Sequence, residues 1–540
     1  MATETAATDI AEKIRTGRTS LGIEFGSTRI KGVLIDDERR TIATSDYAWQ
    51  SHLDERGLWT YDEDKIWRGL QSVYSQIADR VEATYGVKIE RIGQVGLSAM
   101  MHGYLAFDEA GELLVPFRTW QNTNAHDAHE QLSELFQFNI PKRWSVAHLY
   151  QCLLDHEPHV SRIAYITTLA GYVHWKLTGR KVLGIGDASG VFPVDPTTHT
   201  YDQELVAKFD ALPEVAAQPW SLEDLLPEPL VAGTPAGVLT EEGAALLDPS
   251  GMLQPGIVFA PPEGDAGTGM VATNSVRPRT GNVSAGTSIF ATVVLEGKLK
   301  KLHPEVDIVA TPSGDLAGMS HANNFTGVLN EWMDLFHQLA DVNGCAVSAN
   351  DLYGVLFHQA ISPDADPDAG GLTVYPFRTG EFLAGLAEGR PMFVHTPEAH
   401  TSLPNFMRAQ LFGAFCPVTI GMRVMTEDEG VRIDSLVGHG GIFGTPVVAQ
   451  RLLGAAFDTP IRVMDTAEGG AWGMAILADY LQHASEPLAD YLDELVFADA
   501  QGVTETPDPK DVAGFRRYFA RFMAGLPVER AAVEDIAVGD

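Results

Sequence analysis

Two short segments of the chain alternate hydrophobic with small or polar residues in the same way. Residues 21–37 read LGIEFGSTRIKGVLIDD, and residues 281–296 read GNVSAGTSIFATVVLE. Each pattern predicts two hairpin strands joined by a turn that contains glycine and hydroxyl side chains. Superposing the turns places Gly26-Ser27-Thr28 on Gly286-Thr287-Ser288, 260 residues later. We interpret the pair as the openings of two α/β halves that arose by internal duplication.

Elsewhere in the chain, buried strands alternate with amphipathic helices. Apolar residues at helical spacing, Ile66 and Leu70 among them, predict a helix over 64–85. After a predicted strand at 433–437, Thr445 and Pro446 suit the N-cap and the first position of a helix. Short apolar runs predict further strands at 92–97, 257–260 and 461–464. This alternation is typical of α/β domains.

The length of 540 residues predicts more than one domain, because single cores usually stop growing well below that size. With the main boundary set just before the second hairpin, we expect four parts. They are a flexible N-terminal arm at 1–19, an N-terminal domain at 20–274, a C-terminal domain at 275–485 and an acidic C-terminal extension at 486–540.

The charge balance narrows the range of partners. The chain has 38 Lys and Arg against 72 Asp and Glu, a net charge of −34, so nucleic acids and anionic membranes are repelled. A small anion such as ATP still binds locally, through backbone N–H groups and Mg²⁺. Because neither an apolar signal segment nor a run of about 18 apolar residues occurs, we expect a cytoplasmic protein.

The cysteines point to a reducing environment. Cys152, Cys345 and Cys416 are an odd, widely spaced set, which gives neither a disulfide framework nor the spacing of a zinc site. We therefore expect three reduced thiols and no protein-bound zinc.

The glycine-hydroxyl turns are candidate phosphate sites. Gly26 lets the backbone approach a phosphate closely, and Ser27 and Thr28 supply hydroxyl donors. Lys31, just beyond the turn, adds a positive charge. A plain hairpin turn is the alternative, since glycine and serine are common in turns. The matching turn at 286–288 favours phosphate binding.

Asp265 is the candidate for proton transfer. In the segment EGDAGTG it follows a predicted strand and opens a helix of small residues. A carboxylate in that place can accept the proton of a substrate hydroxyl, as kinases that act on alcohols require. An N-cap aspartate is an equally good interpretation of the spacing. The residues alone leave both open.

Two further segments are candidates for ligand contact. Gly438-His439-Gly440-Gly441 leaves room for an approaching base or ribose, although a tight strand-to-helix connection also needs glycine. Met101 and His102, followed by Trp120 and Asn122, offer the mixture of polar groups and apolar surface that binds sugars. A lone histidine is more often structural. Since neither a GxGxxG fingerprint with its acidic partner nor a GxxxxGK[ST] loop is present, a nucleotide would be held by another kind of fold.

Taken in order, these motifs resemble those of the FGGY carbohydrate kinases. The resemblance covers residues 20–485 and rests on LGIEFGSTRIKGVLID, LSAMMHGY, the Trp-Gln-Asn segment, YVHWKLTGR, GDASGVFPVD, EGDAGTG, SAGTS, GHGGIFG and EGGAWGMAIL. It implies an α/β fold of the actin/hexokinase/Hsp70-like ATPase type, with two duplicated ribonuclease H-like domains and a deep interdomain cleft. The sugar is then expected mainly on the first domain and ATP mainly on the second.

The resemblance also implies roles for single residues. Asp265 is the expected catalytic base, and Glu24 is expected to matter for catalysis. The expected sugar contacts are Met101, His102, Trp120, Asn122 and Asp265. The expected nucleotide contacts are Ser27, Thr28 and Lys31 at the first turn, Gly286, Thr287 and Ser288 at the second, and Gly440, Gly441 and Thr445 at the adenosine motif. ATP is the expected phosphoryl donor, and Mg²⁺ arrives with it.

Three departures separate this chain from the family pattern. Glu24 stands where the family has Asp, which keeps the charge but adds one methylene. The substrate segment reads Trp-Gln-Asn-Thr-Asn in place of Trp-Asn-Asp-Gly-Arg, so one acid and one base are missing. The usual lysine of an Ala-Pro-Lys stretch is replaced near Ala147-His148. These changes indicate a divergent subgroup.

The activity that the resemblance implies is ATP-dependent phosphorylation of a D-xylulose-like ketopentose at a terminal hydroxyl, by a homodimer. L-ribulose or another polyol is the alternative substrate. A non-catalytic sugar sensor and an actin- or Hsp70-like ATPase are alternatives of another class. The retained Asp265 and turn hydroxyls speak against the sensor, and the Met-His-Gly and Trp-Gln-Asn segments speak against the ATPase.

Overall fold

The computed structural model describes residues 2–464 and 469–536, and the chain divides into two compact units. The first unit comprises Met1–Val276, Ile308–Ala317 and Glu468–Asp499. The second comprises Arg277–Asp307, Gly318–Ala467 and Ala500–Asp540. Two stretches beyond the predicted boundary at 274 therefore return to the first unit.

Helices occur throughout both units. Within residues 2–464 and 469–536, no helix is both long and apolar enough to cross a membrane. The helices of seven or more residues are α1 (Ala2–Thr16), α2 (Glu63–Tyr85), α3 (His126–Phe136), α4 (Ser145–Leu154), α5 (Leu169–Thr178), α6 (Gln203–Asp210), α7 (Glu241–Leu247), α8 (Asp265–Ala272), α9 (Gly327–Val342), α10 (Ala349–Gln359), α11 (Leu403–Arg423), α12 (Val448–Phe457), α13 (Gly470–Tyr480) and α14 (Pro509–Asp535).

Two large sheets carry the strands that matter for the site. The strands of the first sheet are β1 (Thr19–Phe25), β2 (Arg29–Asp36), β3 (Thr41–Ala48), β4 (Gln94–Ala99), β5 (Gly237–Val238), β6 (Val258–Phe259) and β7 (Glu263–Gly264). Those of the second are β8 (Thr280–Ala285), β9 (Ile289–Val294), β10 (Asp307–Ala310), β11 (Leu316–Ala322), β12 (Ser435–His439), β13 (Ile461–Met464) and β14 (Gly502–Glu505).

The first sheet has the order β5-β6-β4-β1-β2-β3, with β7 also paired to β4. β1 is antiparallel to β2 but parallel to β4, and β6 and β7 are parallel to β4 as well. The carboxyl ends of parallel strands meet at one edge of a sheet. Glu24 lies near the end of β1, Met101 follows β4, and Asp265 follows β7. The topology therefore gathers these three residues at one edge.

The second sheet repeats this plan in the order β10-β11-β9-β8-β12-β13-β14. β8 is antiparallel to β9 and parallel to β12, β12 is parallel to β13, and β14 closes the series antiparallel. The same directions run from β2 through β1, β4 and β6 to β5 in the first sheet. This repeated topology supports the internal duplication inferred from the two hairpins.

The two turns differ in length by one residue. Phe25 pairs with Ile30 across the first hairpin, which leaves residues 26–29 in the loop. Ala285 pairs with Ile289 across the second, which leaves only 286–288. The predicted superposition therefore holds at the first residues of the turns, Gly26 and Gly286, and is offset by one residue at the strands that follow.

The predicted flexible arm at 1–19 is instead the helix α1 followed by the start of β1. Ile14 is buried. The buried Lys13 Nζ lies 3.2 Å from the Asp36 carboxylate and 2.6 Å from that of Glu38, at the end of the first hairpin. Through these two buried side chains α1 packs on the first sheet.

The predicted extension at 486–540 is divided between the units, with its larger part in the second. There α14 is held by its aromatic face. The Tyr518 hydroxyl donates to the Ala409 carbonyl at 2.8 Å and accepts from the Val374 N–H at 3.0 Å. The tail is thus part of the core of the second unit.

The helix predicted to begin at Thr445-Pro446 begins at Val448. A short 3₁₀ helix, Gly441–Gly444, comes first. Val447 then has φ 71°, and the Val448 N–H donates to the Pro446 carbonyl at 2.9 Å, which is a γ-turn. Because these two turns use up the intervening residues, Thr445 lies outside the helix cap.

Helix α13 lies on β1 and β4 at a separation that only glycine permits. A Cβ on Gly22 of β1 would overlap the backbone of Ala471, and one on Gly96 of β4 would overlap Met474. The EGGAWGMAIL motif forms this helix, and its Glu468 lies outside the described residues. Packing of α13 against the first sheet explains why this part of the chain belongs to the first unit.

Replacing Gly22 with alanine tests this packing. Gly22→Ala is expected to lower the free energy of unfolding by about 2 kcal/mol or more, because α13 must move off the strand. Gly269→Ala is the control within the same unit, since a Cβ there meets no atom within 4 Å and alanine favours the helix. Denaturant midpoints measure both, and equal stability of the two variants would refute the packing argument.

Candidate active site

The carbonyl groups of Gly26, Ser27 and Thr28 in the first turn all accept hydrogen bonds from two aromatic residues. Trp49 Nε1 donates to the Gly26 carbonyl at 2.7 Å, and the Tyr61 hydroxyl donates to the Ser27 carbonyl at 2.7 Å. The Trp49 N–H donates to the Thr28 carbonyl at 3.1 Å. In the part of the chain that the structure describes, the N–H groups of Ser27 and Thr28 have no hydrogen-bond acceptor. The open side of the turn thus presents donors, which suits an anion.

Glu24 lies just before this turn and against the N-terminus of α13. A Cβ on Gly470 would overlap its carboxylate. Burial raises the pKa of Glu24, and the negative charge of Asp265 adds to this rise. The positive charge of Lys31, its exposed partner across the hairpin, and the N–H of Ala471 offset part of the effect. The structure therefore brings the Glu24 and Asp265 carboxylates within electrostatic range.

Asp265 is the first residue of α8, and its carboxylate is fixed from the neighbouring strand. The Met101 N–H donates to Asp265 Oδ1 at 3.2 Å. The helix N-cap is Gly264, without a side-chain cap bond, so the N-cap interpretation of Asp265 is wrong. Desolvation by the surrounding protein raises the pKa of Asp265. The residue nevertheless keeps a surface in contact with solvent. A carboxylate that is both surrounded by protein and reachable is suited to accept a proton from a bound hydroxyl.

His102 has a left-handed backbone conformation with φ 69°. Its buried ring stacks on that of Trp144. Its Nδ1 lies 3.3 Å from the Gly190 carbonyl. Burial lowers the pKa of His102 well below its usual value, helped by the charge of Arg143, so the ring is neutral at physiological pH. We assign its proton to Nδ1, because a carbonyl can only accept. Nε2 is then left as a hydrogen-bond acceptor.

Trp120 and Asn122 of the Trp-Gln-Asn segment differ in exposure and in their hydrogen-bond partners. Trp120 is 37% exposed, and its Nε1 donates to Ser27 Oγ at 3.1 Å. Asn122 is buried, and its amide accepts from the Trp59 N–H and donates to the Trp59 carbonyl, both at 2.8 Å. The Asn122 amide is therefore held by backbone partners, and its expected sugar contact stays a prediction.

In the second unit Gly286 and Thr287 of the turn are exposed, and Thr326, directly before α9, supports the turn. The Gly286 N–H donates to the Ser288 carbonyl at 2.9 Å, and the Thr326 hydroxyl donates to the Gly286 carbonyl at 2.9 Å. Here too a carbonyl of the turn is engaged by a side chain.

The glycine motif after β12 approaches this second turn. Gly440 has φ 111°, and a Cβ on it would overlap the carbonyl of Ala285, the residue before the turn. Gly441 is exposed and has open space beside its Cα, while Thr445 is half-buried. Gly440 of the predicted adenosine motif therefore lies next to the predicted phosphate turn.

A pair of buried carboxyl groups beside Asp265 was missed by sequence reasoning. The N–H of Asp187 donates to Glu263 at 3.1 Å, and that of Gly186 donates to it at 3.4 Å. The Thr168 hydroxyl donates to the other carboxyl, Asp187 Oδ2, at 2.6 Å. In the structure a glycine makes room for the acid, since a Cβ on Gly186 would overlap Glu263; the sequence alone gives no sign of this pairing.

These two carboxyl groups hold protons that an exposed acid would lose. Burial raises the pKa of Glu263 to about 8, and the charge of Asp187 contributes. Burial likewise raises the pKa of Asp187 to about 7, with a contribution from Asp265. Retention of protons by this pair lowers the negative charge beside Asp265.

Cys152, Glu157 and His159 bring three ligand-type atoms within 4.8 Å of one another, although their spacing in the chain did not suggest a metal site. Arg118 donates to Cys152 Sγ at 2.9 Å and to the Glu157 carboxylate at 2.7 Å. The guanidinium group thus stands where a cation would bind. The cluster is a buried ion-pair network.

Models of both domains of one protein family match this chain. The N-terminal domain of the FGGY family of carbohydrate kinases matches residues 19–249, and the C-terminal domain of that family matches residues 281–481. Between them the two matches span most of the chain.

Curated relatives match over different lengths. The xylulose kinase of Lactococcus lactis is 20% identical over 527 residues, which cover 92% of this chain and 94% of that protein. The xylulose kinase of Streptomyces rubiginosus is 23% identical over 486 residues, with coverages of 88% and 90%. The glycerol kinase of Nocardia farcinica is 21% identical but covers only 41% of this chain and 48% of its own length.

Solved structures agree in fold. The xylulose kinase from Rhodospirillum rubrum superposes with a TM-score of 0.76 at 20% identity, covering 95% of this chain and 99% of its own. The gluconate kinase from Lactobacillus acidophilus gives 0.75 at 18% identity, with coverages of 96% and 98%. The likeness confirms the predicted two-domain α/β fold of the actin/hexokinase/Hsp70-like ATPases.

The buried carboxyl pair predicts how stability depends on pH. Because the folded protein keeps protons that the unfolded chain releases near pH 4, the stability they provide is full below that pH and is lost as the pH rises through about 7 to 8. Glu263→Gln removes one of the two groups. The free energy of unfolding of this variant minus that of the parent chain should therefore be more positive at about pH 8.5 than at about pH 5.5.

Urea unfolding at both pH values measures this difference. The exposed Glu109 provides the matched control, since Glu109→Gln makes the same charge change in contact with solvent. A stability difference for Glu263→Gln that is the same at both pH values would contradict the assigned protonation.

Proposed function

Because this chain belongs to the FGGY family of carbohydrate kinases, we propose that it transfers the γ-phosphoryl group of ATP to a terminal hydroxyl of a D-xylulose-like ketopentose. Sugar kinase activity is the activity of the family, and the choice of a ketopentose is the proposal. Relatives that match along nearly the whole chain are xylulose kinases, which supports this choice. A homodimer in the cytoplasm is part of the same proposal.

The observation that carries the proposal is the position of the Asp265 carboxylate. It is held by the Met101 N–H, remains reachable from solvent, and has a pKa raised by burial. A raised pKa makes it a better proton acceptor than an ordinary aspartate. In the proposed reaction Asp265 orients the terminal hydroxyl and takes its proton as the hydroxyl oxygen attacks the γ-phosphorus in line.

The remaining sugar contacts follow from the geometry around this base. His102 offers Nε2 as an acceptor to one hydroxyl, and the exposed face of Trp120 offers an apolar surface to the sugar carbons. Met101 contributes mainly its backbone N–H, which holds the base. These contacts position the sugar, and positioning is a large part of catalysis in phosphoryl transfer.

The donor-rich turns are the proposed phosphate contacts. Ser27 and Thr28, with Lys31 nearby, are assigned to ATP in the first unit, and Gly286, Thr287 and Ser288 are assigned to it in the second. Gly440, Gly441 and Thr445 are the proposed adenosine contacts. Mg²⁺ enters as part of the MgATP substrate and neutralises phosphate charge.

Glu24 is the proposed catalytic residue that departs from the family pattern, which has Asp at this position. Its carboxylate lies within electrostatic range of Asp265 and next to the phosphate turn, and the N–H of Ala471 bonds to it. We assign it a catalytic role through its charge. The added methylene relative to aspartate is accommodated because Gly470 has no side chain.

A panel of substrates tests the proposed specificity. ADP release is measured in a coupled assay with D-xylulose, L-ribulose, glycerol and D-gluconate under identical conditions. D-xylulose is expected to give the highest kcat/KM. A preference for L-ribulose would move the proposal within the ketopentoses, and a preference for glycerol or gluconate would refute it.

Removing the proposed base should separate chemistry from binding. Asp265→Asn and Asp265→Ala are expected to lower kcat about 100-fold or more, because proton transfer is lost, while the affinity for ATP is kept. Asp64→Asn, at an exposed helix position, is the control and should leave turnover unchanged. Turnover at the parent rate in Asp265→Asn would show that another group is the base.

A further inference from the structure

We propose that Trp120 is a positioning residue that links the sugar site to the phosphate turn by fixing the direction of the Ser27 hydroxyl. The inference rests on the proposed function, in which the sugar packs on Trp120 and an ATP phosphate faces Ser27. Trp120 then acts on ATP through Ser27 and has no contact with the nucleotide itself.

The bond between the two side chains has only one polarity. Trp120 Nε1 lies 3.1 Å from Ser27 Oγ, and an indole N–H can donate but not accept. Ser27 Oγ is therefore the acceptor, and its own hydrogen must point in another direction. Two acceptors of the turn, the carbonyls of Gly26 and Ser27, already receive one bond each, from Trp49 and Tyr61. The Ser27 hydroxyl has no acceptor among the residues that the structure describes, and in the proposal a phosphate oxygen takes this hydrogen.

The chain on either side of Trp120 is held in place. The Thr119 N–H donates to the Trp59 carbonyl at 3.1 Å, and the Asn122 amide bonds to both backbone groups of Trp59. Thr119 and Asn122 are buried, while the Trp120 side chain is 37% exposed. The indole is therefore a reachable side chain on a fixed backbone, and its orientation is what a ligand can influence.

A sugar that packs on the indole restricts its motion and with it the Ser27 hydroxyl. ATP then binds to a turn whose donor is already oriented, so it loses less conformational freedom. The linkage is reciprocal, because coupling between two binding equilibria is the same in both directions. Sugar should therefore tighten ATP binding, and this effect should pass through the Trp120–Ser27 hydrogen bond.

A double-mutant cycle tests the link. Trp120→Phe keeps an apolar ring but removes the N–H, and Ser27→Ala removes the acceptor and the hydroxyl. The affinity of a non-hydrolysable MgATP analogue is measured by calorimetry, with and without D-xylulose, for both variants and for their combination. Circular dichroism checks that each variant is folded.

Each single variant is expected to weaken binding of the analogue about 5-fold, the effect of one neutral hydrogen bond. The combination should be no weaker than Ser27→Ala alone, since Trp120 acts only through Ser27. Both singles should also lose the tightening by D-xylulose. Ser27→Thr, which keeps the hydroxyl, should retain it. Trp175→Phe is the control for the ring change, because Trp175 packs in the aromatic cluster of Phe107 and Tyr165.

Two results would overturn the inference: an unchanged affinity for the analogue in Trp120→Phe, or single effects that multiply in the combination. The outcome is separate from that of the proposed function, because binding of the analogue alone does not depend on which sugar is phosphorylated. A non-additive cycle without D-xylulose turnover would refute the substrate and keep the link. Full D-xylulose turnover with an additive cycle would keep the substrate and refute the link.

Discussion

The approach of α13 to the first sheet is the constraint on which the candidate site depends. Gly22 lets the helix backbone lie directly on β1, and Gly473 on the helix lies against the backbone of Thr268 in α8. One helix therefore packs against both the strand that carries Glu24 and the helix that begins with Asp265. The distance between these two carboxylates is fixed by backbone packing, which is the least adjustable kind of contact in a protein interior.

An overall charge of −34 is an obstacle to binding a nucleotide, and the first turn shows how a local arrangement overcomes it. Trp49 and Tyr61 engage the carbonyl oxygens of the turn, which removes partial negative charge from the side open to solvent. The backbone N–H groups and hydroxyls remain as a concentrated set of donors. Such fixed dipoles act on an anion in direct contact, whereas salt screens the more distant charges of the surface.

Sequence reasoning was successful where local patterns decide structure. Both hairpins, the helix over 64–85 and the position of Asp265 after a strand are confirmed, because each depends on residue order within a few turns. It was less successful where distant segments meet. The buried bonds of Asn122 to Trp59 and the pairing of Glu263 with Asp187 depend on contacts across 60 to 80 residues, which periodicity cannot reveal. The predicted flexible arm at 1–19 differs from the helix α1 because the ion-pair partners of Lys13 lie outside the segment itself, in the hairpin that follows.

The contact between Gly22 and Ala471 joins residues about 450 positions apart. At synthesis rates of roughly 5–20 residues per second, the ribosome needs about 20–90 s to make the helix that covers a strand completed at the start of translation. During that interval the nascent first sheet carries an apolar face with no helix on it. The first unit is consequently completed only when Glu468–Asp499 has been made, shortly before the last segment of the second unit, and a chain released before that point would leave a surface prone to aggregation.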